Sequence, residues 1–504
     1  MTPVRDCLPA AGLGLRGRLG AFARAELRVG RGLFVLALGL VIVGAVQLRV
    51  GGLERSLWYD ELFSLVHFMR GSALDALSRY KAANNHLFHS FLATLARALP
   101  GLSETAAVRL PALLLGLAGL ALLGLAARLR LGRREALIAL ALGAVLPGHA
   151  LYCVESRGYA GAATATLLVL VLTTLPGGRL RDRALVVAIT LGLWLHATTL
   201  LPFFGILALL LWRTFREDQP ESERADRRRL LVHGAIGLGV ALLAYLRVLK
   251  RVVSFAKRNV LTGDIVEVQV GGHGTGIERL GAMLTALGPW DAEARGATLL
   301  TLALLVLALH GGRLLWRQDE AGRRLAGGTL AAALVTLVFW MLPGTLFFPR
   351  FVLLLQLPVL LLALRGLTDL ADRTPTPRAT LLSLTLAAVL LLAPTAERVV
   401  RQPGQPLAEA VALAQSLPEA RLAATGTGAE LLGPWRDLEI PVLNTVADLE
   451  AFRSAAPERP TALIVPFAEA LPGELKARLA GARVQRLRGL RADSLVIIVP
   501  ARRS

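Results

Sequence analysis

Two carboxylates stand side by side at Asp60 and Glu61, in the string Leu57–Ser64 (LWYDELFS), just after a long apolar run. Ionisable groups at the edge of an apolar layer are costly unless solvated or paired, so they suggest function. A carboxylate there can take a proton from a hydroxyl. The structural alternative is a solvated pair with Asp60 capping a helix. Further strings add to the set. Asn84–Ser90 (NNHLFHS) brings Asn85 and His86, Glu155–Ala160 (ESRGYA) brings Glu155, Arg157 and Tyr159, and Phe347–Phe351 (FFPRF) brings Arg350. His196 ends another apolar run. Their plain alternatives are an interfacial ion pair with an aromatic-belt tyrosine, a snorkelling arginine and a packed histidine. Arginine matches a phosphate in shape and charge. A phosphate-bearing lipid meeting a hydroxyl nucleophile would need such a combination.

The strings lie far apart, so the elements between them must bring them together. The chain has 504 residues, 54% of them hydrophobic and 18% charged, and a mean hydropathy of +0.57. Soluble domains carry roughly 25% charged residues. The composition excludes a soluble enzyme, a disordered chain and a fibre. Apolar runs occur near 33–48, 108–127, 135–151, 158–175, 184–198, 199–212, 230–249, 297–316, 326–345, 350–365 and 379–395. About 20 apolar residues cross a bilayer, which predicts about eleven transmembrane helices. The N-terminal flank carries Arg5, Arg16, Arg18, Arg24 and Arg28, and no small-residue cleavage site follows the first run. Residues 1–32 therefore read as a cytoplasmic basic tail before an uncleaved span.

Basic clusters recur at 128–134, 179–183, 213–229, 313–324 and 365–378. Alternating sides from a cytoplasmic N-terminus puts all of them inside, as positive charge in short loops requires. The net charge of +20 then records topology rather than a nucleic-acid partner. The same alternation carries every chemistry-bearing string to the outer face.

Residues 87–99 are helical by periodicity but span only about 20 Å, so they read as an interfacial or re-entrant helix. Residues 61–80 read as an amphipathic helix on the same surface. The membrane domain is expected over 33–395, with outer loops at 49–107 and 250–296. A small extracytoplasmic α/β domain is expected over 396–504. Its strand candidates are 421–425, 440–444, 461–466 and 494–500, and its helix candidates are 406–417, 446–454 and 467–480. Gly271–Gly276 (GGHGTG) lacks the strand, helix and Lys of a phosphate loop and reads as a flexible loop. Cys7 and Cys153 lie too far apart in the chain to suggest a disulfide framework, and Cys153 reads as a packing residue at the membrane edge.

Taken in order and spacing, the strings resemble the glycosyltransferases of family 39, the protein O-mannosyltransferase-like and aminoarabinose-transferase-like membrane enzymes of the GT-C superfamily. The resemblance runs from the first span to about residue 370. It rests on WYDE after that span, on Asn85–Gly101 (NHLFHSFLATLARALPG), on Glu104–Gly119 (ETAAVRLPALLLGLAG), on Glu155–Ala160 and, more weakly, on Pro349–Pro358 (PRFVLLLQLP). It implies a GT-C fold and an inverting enzyme that uses an undecaprenyl- or dolichyl-phosphate sugar at the outer face. It implies that Asp60 is the acid that acts as base or orients the acceptor, with Glu61 as its partner and Glu155 as a second-loop acid. On the donor side it implies Asn85, His86, Arg109 and, near the lipid phosphate, Arg350; Arg157 and Tyr159, from the Glu155–Ala160 string, join them as donor-side candidates. Asp60 and Glu155 would suit Mg²⁺ or Mn²⁺, although arginine can do the same electrostatic work. Relatives commonly read Asn-His-Pro-Pro, whereas Leu87 and Phe88 follow His86 here. Without the prolines the loop loses rigidity, which bears on where His86 sits.

Two other readings fit a polytopic chain with these residues. One is a flippase or transporter for a lipid-linked sugar, and the other is a non-catalytic subunit of envelope assembly. Transporters often show paired halves and broken helices at the midplane, whereas here the polar residues gather at one face. Neither the sugar nor the acceptor (lipid, polysaccharide or protein) is set by the sequence.

Overall fold

A computed structural model describes residues 31–79, 85–216, 220–256, 280–281, 297–342 and 349–501. The N-terminal arginines, Cys7 and the Gly271–Gly276 loop lie outside these residues. Each of the eleven apolar runs falls on helix: α1 (Arg31–Val50), α5 (Glu104–Arg130), α6 (Arg133–Ala144) with α7 (Pro147–Cys153), α8 (Tyr159–Thr174), α9 (Arg179–Leu195), α10 (Leu200–Thr214), α11 (Glu221–Ala256), α12 (Ala297–Gln318), α13 (Glu320–Met341), α14 (Gln356–Asp372) and α15 (Pro377–Arg401). Among the described residues, six helices are long and apolar enough to cross a membrane, or seven if the bent α6–α7 pair counts as one. That is fewer than the expected eleven. Helices α8 and α9 have 16 and 17 residues, and α9 and α11 begin with charged turns.

Large apolar side chains point outward along the bundle, among them Leu36 and Leu40 on α1, Leu242 and Leu243 on α11, Val306 and Leu309 on α12, and Leu386 and Leu390 on α15. In water such a surface would drive aggregation. Against lipid it is the expected exterior, because the helices satisfy their own backbone. The interior is packed around α8, α9, α10 and α14, where Leu167, Leu170, Ile189, Phe203, Leu357 and Leu361 form one buried cluster.

Three short elements after α1 build the site's floor. They are α2 (Tyr59–Ser64), continued by a π-helical turn over Leu65–Met69, then α3 (Ala73–Ser78) and α4 (Leu87–Ala96). The amphipathic helix expected over 61–80 is thus broken in two. Ser72 caps α3 by accepting from the Asp75 N–H, which starts a new helix there. The short helix expected near 87–99 is α4, ten residues long.

The last long helix runs to Arg401, six residues past the expected end of the last span. Beyond it lie α16 (Leu407–Gln415), β1 (Arg421–Ala424), α17 (Ala429–Arg436), α18 (Val446–Ser454), β2 (Thr461–Val465), α19 (Gly473–Arg478), β3 (Arg483–Leu487) and β4 (Ser494–Val499). The sheet order is β1-β2-β4-β3, with β1 parallel to β2 and the other pairs antiparallel. Strand β3 reads Arg-Val-Gln-Arg-Leu with little burial, so its sequence carries no strand signal. The expected strand over 440–444 reduces to one bridge between Ala424 and Val442.

The two faces of the sheet bury different partners. Ala423, Leu463, Val465 and Ile497 pack under α18 and α19. Ala424, Ala462, Ile464 and Val496 join Leu407, Val411, Leu431 and Leu432 in a core that also holds Leu57, Leu62, Leu65 and Met69 of the site's floor. Each Leu-sized side chain buried in that seam stabilises by about 1.5–3 kcal/mol. The sheet domain is therefore a roof fixed onto α2.

Candidate active site

Helix α2 presents Asp60 and Glu61 in different directions. Glu61 is fully buried. Arg109 donates to it twice, from Nε to Oε1 at 2.9 Å and from Nη2 to Oε2 at 2.7 Å. The Ser156 N–H adds 2.6 Å to Oε1 and the Trp58 N–H 3.2 Å to Oε2. The remaining donors of Arg109 go to the carbonyls of Gly52, Leu53, Arg55 and Ser56. A guanidinium has five N–H groups, and all are taken. In this arrangement every donor of Arg109 is engaged within the protein. It folds the chain leaving α1 around Glu61. Burial pushes the Glu61 carboxyl up, but the guanidiniums of Arg109 and Arg55 outweigh this and hold it below its ordinary value.

Asp60 lies at the other edge of α2. Its Oδ2 is 3.3 Å from Arg350 Nη2 and 3.6 Å from Arg157 Nη2. Arg350 Nε also donates to the Tyr159 hydroxyl at 2.9 Å. Its guanidinium lies 5.5 Å from the centre of the Trp58 ring, in cation–π range. Tyr159 opens α8, its ring packed against His196 at 4.4 Å, Tyr152 at 4.9 Å and His86 at 5.6 Å. The string around it depends on Gly158, where a Cβ would sit 1.8 Å from the Leu195 carbonyl oxygen. Only glycine lets the loop before α8 lie against the end of α9. The strings centred on Asp60, Arg157, Tyr159, His196 and Arg350 thus meet at one end of the bundle.

Glu155 is also buried, and two guanidiniums meet it. Arg491 Nη2 donates to both oxygens, at 2.7 and 2.9 Å, and Arg55 Nη2 to Oε1 at 3.3 Å. Arg55 further holds the carbonyls of Val399 and Gln402, tying the end of α15 to the site. Burial next to Arg109 pushes its guanidinium down to about 10. Asn85 donates to the carbonyls of Ala76 and Arg79 and accepts from Ser90 Oγ at 2.8 Å. These bonds make it a brace for the turn before α4 rather than the donor contact implied for it. His86 caps that helix without a side-chain bond, and its ring lies 4.6 Å from that of His196. Burial and the nearby charge of Arg157 push His86 well below its ordinary value, and push His89 down to about 3. Both are neutral at pH 7.

Trp58 Nε1 and His86 Nε2 are among the buried polar atoms at this site that have no hydrogen-bond partner among the described residues. Buried polar atoms are nearly always satisfied, so such orphans beside a cluster of charges mark a place for a ligand. A divalent ion fits less well. Asp60 and Glu155 each face two guanidiniums, and among the described residues no three His, Cys, Asp or Glu side chains gather to hold a metal. Sequence reasoning missed Arg55, Tyr152 and Arg491. Arg55 stands three residues before the WYDE string and Tyr152 three before Glu155, within reach of a wider window. Arg491 lies in the roof domain, more than 330 residues from Glu155, with no local sign of a role.

No family model matches this chain, and no curated protein matches it. Solved structures do. The likeness is one of fold. The likeness is to ArnT from Cupriavidus metallidurans, at 14% identity, covering 93% of this chain and 98% of that one. The TM-score is 0.60 for its apo state and 0.58 for its complex with undecaprenyl phosphate.

Proposed function

We propose that this chain is an inverting glycosyltransferase that moves a sugar from a polyprenyl-phosphate donor to a hydroxyl acceptor at the outer face of a membrane. The observation that carries the reading is Asp60 held by Arg157 and Arg350 beside Tyr159, at the edge of an apolar bundle and under the roof domain. The shared fold with ArnT, a protein solved with undecaprenyl phosphate, supports the choice of donor. On this reading the acceptor oxygen attacks the anomeric carbon and a new glycosidic bond forms. The bond from that carbon to the phosphate oxygen breaks, and polyprenyl phosphate leaves with the electron pair. Asp60 takes the acceptor's proton during the attack. A single displacement inverts the carbon. Arg350, with Arg157 behind it, meets the charge that grows on the phosphate, and such fixed charge in a dry site is usually the largest catalytic term. His86, neutral and with Nε2 unpartnered, can accept a hydrogen bond from a sugar hydroxyl.

The reading includes eleven spans, a cytoplasmic N-terminus and an outer roof domain, which the inward basic clusters support. The sugar is a hexose or pentose, and the acceptor a lipid, polysaccharide or protein hydroxyl. The test is transfer from a defined polyprenyl-phosphate sugar by the full-length protein in detergent. A product of inverted configuration is expected, with donor use weakened in Arg350→Ala. A transporter or an assembly subunit would give no product.

A further inference from the structure

The roof domain enters the site through one side chain. The turn between β3 and β4 is pinned to the chain after α15 by three backbone bonds, Leu490 N–H to the Pro403 carbonyl and Arg491 N–H to that of Gly404, both 2.9 Å, and Ala492 N–H to Gly404 at 3.3 Å. The Arg491 side chain then crosses Trp58, its guanidinium 4.2 Å from the ring centre. Its hydrogen bonds, to both Glu155 oxygens and at 3.1 Å to the Tyr152 hydroxyl, all run through Nη2. The edge formed by Nε and Nη1 takes no part in them. Arg350 sits over the same Trp58 ring, whose Nε1 is one of the buried orphans.

Charge counting sharpens this. Five guanidiniums (Arg55, Arg109, Arg157, Arg350 and Arg491) meet three carboxylates (Asp60, Glu61 and Glu155), an excess of two positive charges. Arg55, Arg109 and Arg157 have side chains at most 3% exposed, while Arg350 and Arg491 are 16% and 20% exposed. Arg350 and Arg491 are thus the two guanidiniums of the five that reach the surface. A phosphate diester carries one negative charge, whereas a monoester carries about 1.5 to 2 at pH 7. Two guanidiniums match the monoester better, and so favour the state in which the sugar has left.

We infer that Arg491 is a phosphate ligand supplied by the roof domain, which with Arg350 clamps the polyprenyl phosphate across Trp58. This rests on the reading of the site as one for a polyprenyl phosphate. The test titrates the full-length protein in detergent with a short-chain polyprenyl monophosphate, with the polyprenol of the same length, and with inorganic phosphate as competitor. Losing a charge-assisted bond should weaken binding of the phosphate lipid about 10- to 100-fold in Arg491→Ala, with partial recovery in Arg491→Lys and no change for the polyprenol. Arg486→Ala, in the same hairpin but paired with Asp493 and Glu469, should bind like the parent. Arg491→Gln keeps a donor for Glu155 without the charge, and gives the same reading if the alanine variant fails to fold. Competition by inorganic phosphate that disappears with Arg491 assigns the residue to the phosphate itself. Loss with the lipid alone assigns it to phosphate as the prenyl chain delivers it. Phosphate-lipid affinity within twofold of the parent in Arg491→Ala and Arg491→Gln overturns the clamp. If Arg350→Ala still loses affinity, only the role of Arg491 falls. A parent that binds polyprenol as tightly as its phosphate sinks the reading of the site as well.

Discussion

Asp60 and Glu61 are consecutive residues on one helical turn, yet their surroundings are opposite in kind. Glu61 is enclosed by Arg109 and two backbone N–H groups at 2.6–3.2 Å, deep under the roof. Asp60 faces Arg350 and Arg157 at 3.3 and 3.6 Å, distances too long for strong charge-assisted bonds. A saturated carboxylate is bound to the frame and cannot change partners without breaking it. A loosely held one can turn to a substrate. Burial makes the same division between Arg109, fully enclosed, and Arg350 and Arg491, which reach the surface. One pair of residues thus builds the site and its neighbour is left to work in it.

The contrast can be broken experimentally. The largest effect should come from Asp60→Asn. Transfer should fall by roughly 10²–10⁴-fold, with thermal unfolding and polyprenyl-phosphate binding like the parent. Near-normal turnover would remove Asp60 as the base. Next comes Glu61→Ala, which strands the Arg109 charge in the interior and should cost about 3–5 kcal/mol of stability, read as a lowered unfolding midpoint. The less drastic Glu61→Gln sharpens the point through pH. The Glu61 carboxyl titrates below its ordinary 4.5 when folded. Its stabilisation is therefore complete above that value and lost as pH falls through the folded one. The parent should lose stability below about pH 4.5 more steeply than Glu61→Gln, and equal slopes would deny the pair its role. The smallest effect concerns His89. Its folded value of about 3 lies below the ordinary 6.5, so the unfolded chain gains the proton first. Stability should decline as pH drops below about 6.5, by at most about 1.4 kcal/mol per unit. His89→Gln should flatten that decline, and an unchanged slope would mean that His89 is charged in the fold.

Much of this arrangement was legible in the sequence. The apolar runs gave the long helices, because burial in lipid imposes a long and nearly uninterrupted apolar pattern. The spacing of the basic clusters predicted that Asp60, Arg157, Tyr159 and Arg350 would share one end, and they do. What stayed hidden depended on contacts between distant segments. Nothing local tells that Arg109 meets Glu61 with all its donors, since an Arg-Leu-Pro string reads the same whether it binds phosphate or backbone carbonyls. Asn85 misled for the same reason, because its bracing partners, Ala76 and Arg79, form a turn set by packing. Strand β3 was missed because two arginines and a glutamine among its five residues give no apolar alternation. Its turn is the part that delivers Arg491.

The seam between the roof and α2 also dictates an order of events during synthesis. Tyr59 N–H is satisfied by the Gln405 side chain at 3.0 Å, and Ser56 Oγ accepts from the Ala408 N–H at 2.9 Å. Residues made early therefore wait for partners made some 350 positions later, a long loop to close before the contact is gained. A nascent chain that has placed its first helices in the bilayer still lacks a finished pocket. On the proposed reading, a fragment that ends before Gln405 lacks these partners and should give no transfer.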